Sequence, residues 1–355
     1  MRSYLRFLSR NKLYTAIEVV GLSVALAFVL LIGSYVWQDY SVSHENPEYE
    51  RIYIPTQSMP YGIYEPLKEQ IPELEKVTLI NSHDDVVMES GEDRFVTRGL
   101  AVRGDFFDIF DYDFLVGDAD CLNSYTDIVI SETFATLLAG KPELAVGMQI
   151  LPLDYTSEAY TVRGVIKDFN YHYWKYMDFI CKGESPLNES AQKNPIFTLS
   201  ATAFIKVAQA ADDTGLQAKI QAVFKQLWGD KMPADRIDQF ANRIGIERFD
   251  RLYFSGDYID SYLNMGDRSQ IIILLIVSLL LLVSAVINYI NLNLALTNKR
   301  AKEMATRSLV GAEKVHIAVK YILESAAFTS VCSFMAVGIA VGLSPYIGQI
   351  LDGQA

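Results

Sequence analysis

Cysteine, histidine and catalytic signatures are all scarce in this 355-residue chain. Its three cysteines, Cys121, Cys181 and Cys332, form no CxxC pair and no zinc spacing, which excludes a dithiol redox motif and a metal knuckle. A Cys121–Cys181 disulfide stays open for a segment outside the cytoplasm. His44, His83, His172 and His316 are scattered singly. A lone histidine is more often a solvated or hydrogen-bonded structural residue than a ligand, so no metal and no cofactor is assigned. The GxxxxGK[ST] phosphate loop is absent, so the chain carries no ATPase of that kind; GxSxG, HExxH and SxxK are absent as well. Asp84 with Asp85 and Asp111 with Asp113 are paired carboxylates on paper, but acidic residues this numerous are a solvated surface, and the chain is read as no enzyme. A basic excess is also missing. With a net charge of −12, bulk electrostatics give no nucleic-acid binder. Neither an internal repeat nor a low-complexity segment is present.

Apolar residues, by contrast, are abundant. Half of the chain is hydrophobic, 21% is charged, and the mean hydropathy is +0.15. That is too apolar for an ordinary soluble protein and too charged for a bundle of spans alone, so a mixed membrane and soluble architecture is expected. The 19 residues Val19 to Trp37 carry no charge, enough at about 1.5 Å per residue to cross a hydrocarbon core about 30 Å thick. A cleaved signal peptide is the rival reading. Its small-x-small pair, Ala25 and Ala27, falls mid-run with apolar residues still to come, which favours an uncleaved anchor with Tyr35, Trp37 and Tyr40 as its aromatic belt. A second uncharged run extends from Ile271 to Asn298 and is almost purely aliphatic through Ile287. Asn288, Asn291 and Asn293 close it, and such amides are read as packing glue between helices. A third runs from Ser325 to Leu351, its apolar part ending near Leu343 and rich in small residues.

Charge orients these spans. Arg2, Arg6, Arg10 and Lys12 precede the first, and six basic residues lie between Lys299 and Lys320. By the positive-inside rule both flanks are cytoplasmic and the long acidic middle lies outside. The expected organisation is a cytoplasmic tail at 1–18, a span at 19–37, an extracytoplasmic domain at 38–270, a span at 271–295, a cytoplasmic loop at 296–321, a span at 322–344 and an outer tail at 345–355. The middle segment is long enough to bury its own core. Runs at 51–55, 94–102, 127–130, 159–166 and 202–207 read as strands, and Leu216, Ile220, Val223, Phe224 and Leu227 repeat at helical spacing behind Asp213. The fold class is therefore a membrane α-helical protein with an α+β extracytoplasmic domain inserted between spans 1 and 2. The aromatics Phe169, Tyr171, Tyr173, Trp174, Tyr176 and Phe179 fit either a binding face or core packing, and core packing is the expectation.

The loop NKRAKEMATRSLVGAEK, from Asn298 to Lys314, carries the functional signal. Ala301, Met304, Ala305, Ser308, Leu309 and Ala312 fall on one helical stripe, while Lys302, Thr306 and Arg307 face away. Glu303 and Arg307 form an i,i+4 pair, and Gly311 ends the helix. A basic amphipathic helix commonly lies on anionic lipid headgroups. A stripe of Ala, Met and Ser is weakly hydrophobic for that purpose and suits a protein groove at least as well.

The segment INYINLNLALTNKRAKEMATRSLVGA, from Ile287 to Ala312, resembles the segment "INFVNL…S…R.KEIGVRK..GA" of MacB/FtsX-like ABC transporter permeases. ILES at 322–325, with Glu324, is similar to the start of that family's third span, and FLSRNKLYTAIEVVGLSVALAFVLLI to its first. GDFFDIFDYDFLVGD, DIVISETFATLLAG and YTVRGVIKDF resemble its periplasmic core domain. The resemblance implies a permease half in a bacterial inner membrane that forms a homodimer or pairs with a second half. It also implies a separately encoded ABC ATPase, bound through a coupling helix that contains Arg300, Ala301, Glu303, Met304, Ala305, Arg307, Ser308 and Gly311. Motion of the outer domain would then follow ATP-driven closure of the ATPase, in export or extraction of a hydrophobic or peptide-like substrate. Two departures stand out. The family has a fourth span where this chain stops after a third, so a truncated chain is expected, and Met304, Ala305 and Thr306 replace the usual Ile, Gly and Val. A membrane-anchored sensor is the alternative class, and a third span so soon after the second argues against it. A cell-division or lipoprotein-sorting member of the same superfamily is a further alternative.

Overall fold

The computed structural model describes residues 12–42, 47–153, 158–168, 174, 176–183, 200–208, 213–229, 231–255, 262–295 and 314–351. The chain divides into two units, one formed by residues 1–40 with 267–355 and the other by residues 41–266.

The second unit is an α+β domain. Its elements in chain order are β1 (Ile52–Pro55), β2 (Met59–Pro60), α2 (Tyr64–Gln70), β3 (Leu74–Ser90), β4 (Asp93–Gly104), α3 (Phe106–Ile109), β5 (Phe114–Val116), β6 (Asp127–Ser131), α4 (Glu132–Ala139), α5 (Pro142–Ala145), β7 (Gln149–Pro152), β8 (Tyr160–Ile166), β9 (Phe179–Lys182), β10 (Ser200–Val207), α6 (Asp213–Trp228), α7 (Ala234–Ala241), β11 (Ile246–Arg248) and α8 (Phe249–Leu252). The other unit contributes α1 (Lys12–Val42), α9 (Arg268–Ala295) and α10 (Lys314–Leu351). Each strand run expected from the sequence coincides with a strand here, and the periodic Leu216 to Leu227 segment is helical.

One half of the domain is an open sheet in the order β11-β1-β10-β3-β4, antiparallel throughout. Both of its faces are covered. Tyr53, Leu79, Ala203 and Ile205 point to the side packed by Leu67 of α2 and by Leu216, Ile220 and Val223 of α6. Ile52, Ile54, Ile80 and Phe204 point to the other side, against Phe106, Phe110, Trp174 and Phe249. A strand buried on both faces needs apolar residues at consecutive positions, which is why β1 and β10 read as unbroken apolar runs rather than as an alternation. Trp174 sits among aromatic rings, with centroids 5.0 Å from Phe110 and 5.8 Å from Phe204 and Tyr262. It and Phe179 are core residues, whereas Tyr176 is 39% exposed. Phe169, Tyr171 and Tyr173 lie outside the described residues.

The other half closes on itself. Beyond its midpoint β3 leaves β10 and pairs with β7; β7 pairs with β8, β8 with β6, β6 with β9, and β9 with β4, which returns to β3. This six-strand ring surrounds Val86, Met88, Ala101, Ile128, Ile130, Val162, Val165 and Phe179, with Phe134 and Ala135 of α4 and Ala145 of α5. A closed ring leaves its members no free edge, as in small barrels. Helix α4 starts where β6 ends because Ser131 caps it, its Oγ accepting the Phe134 N–H at 3.1 Å. Asp168 adds a second cap, accepting from Thr133 N and Oγ1 at 2.9 and 2.6 Å. Gly140, at φ +78°, ends the helix in the left-handed conformation that glycine adopts without strain.

The ring begins at an irregularity in β3. His83 pairs with Gly99 and Val86 with Thr97, so Asp84 and Asp85 together face the single residue Arg98. Such a bulge bends the strand and raises its twist. Asp85 has φ +56°, the one positive φ outside glycine among the described residues.

Cys121 and Cys181 are free thiols, not a disulfide. Burial pushes Cys121 up to about 11 and Cys181 up to about 12, so both thiols stay protonated and unreactive at neutral pH.

Candidate functional site

Among the described residues, three helices of the first unit are long and apolar enough to cross a membrane, over Thr15–Gln38, Arg268–Asn291 and Ile322–Ser344. Most of their large aliphatic side chains point outward, including Ile272, Leu275, Ile276, Leu279 and Leu280 of α9. A surface of that kind is stable in hydrocarbon and not in water.

Helices α1 and α10 meet along a seam. On α1 the buried positions are Glu18, Ser23, Ala27 and Leu31; on α10 they are Glu324, Phe328, Cys332 and Ala336. Apart from Glu18 these recur every fourth residue, the row along which helix ridges run. Ser23 faces Cys332 across the seam. Small side chains at Ser23, Ala27, Cys332 and Ala336 let the two backbones approach, which is how helices associate where lipid removes the usual hydrophobic drive. Helix α9 joins them near its C-terminal end. The Asn288 side-chain nitrogen lies 3.6 Å from the position of a β-carbon at Gly21, and Tyr289 stacks on Phe328 with centroids 6.3 Å apart.

Glu18 and Glu324 are the buried carboxylates of the seam, 7% and 4% exposed. Each sits within the first turn of its apolar window, and each is engaged in further interactions. Ionisable groups inside apolar spans are costly and persist where they serve packing or function.

Of the residues singled out from the sequence, Glu324 is brought into the seam and Asn288 against α1, while Asn291 is exposed. The Asn293 side chain and the whole set Arg300, Ala301, Glu303, Met304, Ala305, Arg307, Ser308 and Gly311 lie outside the described residues. The other buried seam positions, Glu18, Ser23 and Ala27 on α1 and Cys332 and Ala336 on α10, escaped the sequence reading. Apart from Glu18, their four-residue spacing was the available signal, hidden because every position around an apolar span looks alike.

Residues 275–354 match the family described as FtsX-like permease C-terminal. Residues 15–223, more than half of the chain, match the MacB-like periplasmic core domain. The chain belongs to the MacB/FtsX-like permease family. As a MacB/FtsX-like permease it is a membrane protein, the non-enzymatic transmembrane subunit of an ABC transporter, a class that works with an ATPase. No curated protein matches it. Among solved structures, a permease-protein domain from Porphyromonas gingivalis is similar at 16% identity and a TM-score of 0.47, over 65% of this chain and 98% of that one. The periplasmic region of MacB from Actinobacillus actinomycetemcomitans aligns at 17% identity and a TM-score of 0.38, over 54% and 92%. The extracellular domain of the ABC-type transporter YknZ from Gram-positive bacteria aligns at 13% identity and a TM-score of 0.38, over 52% and 88%.

Proposed function

We propose that this permease couples ATP hydrolysis on a separately encoded ABC ATPase to movement of its outer domain, in export or extraction of a hydrophobic or peptide-like substrate. The observation that carries the reading is the order of parts. A core domain of the MacB type follows one spanning helix, and a second and third spanning helix flank a short basic segment within the FtsX-like match. The positive-inside rule puts residues 1–18 and 296–321 in the cytoplasm and 38–270 in the periplasm or outside, with the spans in a bacterial inner membrane. The subunit works as a homodimer or with a second permease half.

In this reading the stripe of Ala301, Met304, Ala305 and Ser308, flanked by Arg300, Glu303 and Arg307 and ended by Gly311, docks into the ATPase. Closure of the ATPase then shifts the spans, and α1 and α10 move together because their seam is packed.

The test is a pair of substitutions on opposite faces of the 298–314 segment, made in the full chain and assayed with its separately encoded ABC ATPase. Ala305→Glu buries a charge at the interface and is expected to cost on the order of a few kcal/mol of binding, abolishing complex formation and permease-stimulated ATP hydrolysis. Lys302→Glu, on the rim, is expected to alter mainly association rate and salt dependence. Release of the ATPase by Lys302→Glu with retention by Ala305→Glu reverses the assigned face. No effect of either removes the coupling role from this helix.

A further inference from the structure

The outer domain carries a joint between its open sheet and its closed ring, and three observations locate it. First, among the described strands the two halves share β3 and β4 alone, and beside this ladder Val129, Ile166 and Ile180 of the ring pack into the core under the open sheet. The chain enters this domain at Ser41 and leaves it at Gly266, and its first and last strands, β1 and β11, pair with each other at the outer end of the open sheet. A displacement delivered along the chain therefore enters the domain at the open sheet and reaches the ring through β3, β4 and that shared core.

Second, the ladder is thinnest where β3 passes from one half to the other. β10 pairs with β3 through Ile80 and β7 pairs with it at Met88 and Glu89, while β4 alone is paired with the stretch between among the described strands. A two-stranded ribbon is the most easily twisted part of a sheet. The bulge falls inside this stretch, with Asp84 and Asp85 both exposed and thus free of core packing.

Third, Arg98, the residue opposite the bulge, is held from two directions. Its Nε lies 3.0 Å from Asp84 Oδ1. Its backbone N–H donates to Asp178 Oδ2 at 2.8 Å, and its carbonyl accepts from the Asp178 N–H at 2.7 Å. Asp178 immediately precedes β9, so the ring grips Arg98 by the backbone while the bulge grips it by the side chain. Asp85 holds a positive φ in this setting, a conformation that persists only where its surroundings impose it.

We propose that the Asp84–Asp85 bulge is a hinge between sheet and ring, and that Arg98 is its latch. The Arg98–Asp84 pair is part-exposed and therefore weak, as a latch that opens under load requires. The ring turns as a body because its six strands close, shifting against the core that it shares with the open sheet. The use of this hinge in transport rests on the proposed function, but its existence does not.

Spin labels at Glu69→Cys on α2 and Thr136→Cys on α4, both exposed positions, report the distance between the halves in the full-length protein in nanodiscs. The protein without these two cysteines serves as the blank for label on Cys121, Cys181 and Cys332. The expected result is one narrow distance distribution for the doubly labelled parent, and at least a doubling of its width in Arg98→Ala and in Asp84→Ala. Lys167→Ala, which removes the 2.8 Å ion pair to Asp113 on the ring surface, is expected to leave the width unchanged. An unchanged width in both latch variants overturns the proposal, and so does equal broadening in Lys167→Ala. Should Arg98→Ala fail to fold, Asp84→Ala decides alone. Since neither ATPase nor nucleotide is present, the hinge can fail here while the permease reading stands, and the Ala305→Glu comparison can fail while the hinge stands.

Discussion

Phe179 lays its ring directly over Gly99, the residue opposite it in the parallel β4–β9 pair. A β-carbon at Gly99 would overlap the ring, so glycine is required here for space rather than for backbone freedom. The pair seals the ring beside the latch residue Arg98, covering backbone that would otherwise be bare.

Gly99→Ala is therefore expected to destabilise the outer domain by about 2–3 kcal/mol, as overpacked cores are. For a domain of this size that lowers the thermal midpoint by about 4–12 °C, readable by scanning fluorimetry of the full-length protein. Phe179→Leu in the same chain should restore part of the loss, because a smaller side chain makes room for the methyl group. An unchanged midpoint in Gly99→Ala would mean that the ring moves aside without cost.

Acidification acts on this region through two groups of opposite sign. Burial holds the His83 imidazole below its ordinary value, with Asp84 opposing. Its contribution to stability is present above the unfolded value near 6.5 and is lost as pH falls toward the lower folded value. Burial raises Asp178 above the usual carboxylate range, against the Arg98 N–H and Tyr176. Its contribution is full below the unfolded value near 3.9 and is lost as pH rises through the higher folded value. The expected outcome is that His83→Gln reduces the loss of stability between pH 7 and pH 5, while Asp178→Asn removes a gain in stability that the parent shows as pH falls toward the unfolded carboxylate value near 3.9. Denaturant midpoints at pH 7, 5 and 4 check both, and identical pH profiles for parent and variants would refute the assignment.

The seam between α1 and α10 makes its own demand. Ala336 is buried in it, whereas Phe334 on the same helix is 81% exposed. Ala336→Leu is expected to force the helices apart at a cost of about 1–3 kcal/mol, seen as earlier loss of the monodisperse peak on heating in detergent. Phe334→Leu should leave that peak unchanged. Equal sensitivity at both positions would mean that the seam does not hold the helices.

Much of this architecture is legible in the chain before any fold is built. Uncharged runs long enough to cross hydrocarbon announce α1, α9 and α10, because a spanning helix must satisfy its backbone internally and present apolar side chains all round. Apolar β-branched runs mark β1, β4, β6, β8 and β10 for the same local reason, and the basic segment from Asn298 to Lys314 stands out by charge and spacing alone.

Tertiary structure decided what depends on pairing. Nothing local in Asp84 and Asp85 distinguishes a bulge from a solvated acidic turn; only the register of β3 against β4 places both opposite Arg98. Closure of the ring, the double grip of Asp178 on Arg98 and the choice of Gly99 under Phe179 likewise follow from which strands meet, a matter of contacts far apart in sequence. The seam obeys the same logic. On an apolar helix every face satisfies the bilayer, so composition could not say which side of α1 would bury Glu18, Ser23 and Ala27. That was settled by the side of α10 carrying Glu324, Cys332 and Ala336, where the buried positions recur every four residues and Cys332 and Ala336 are small enough for close approach.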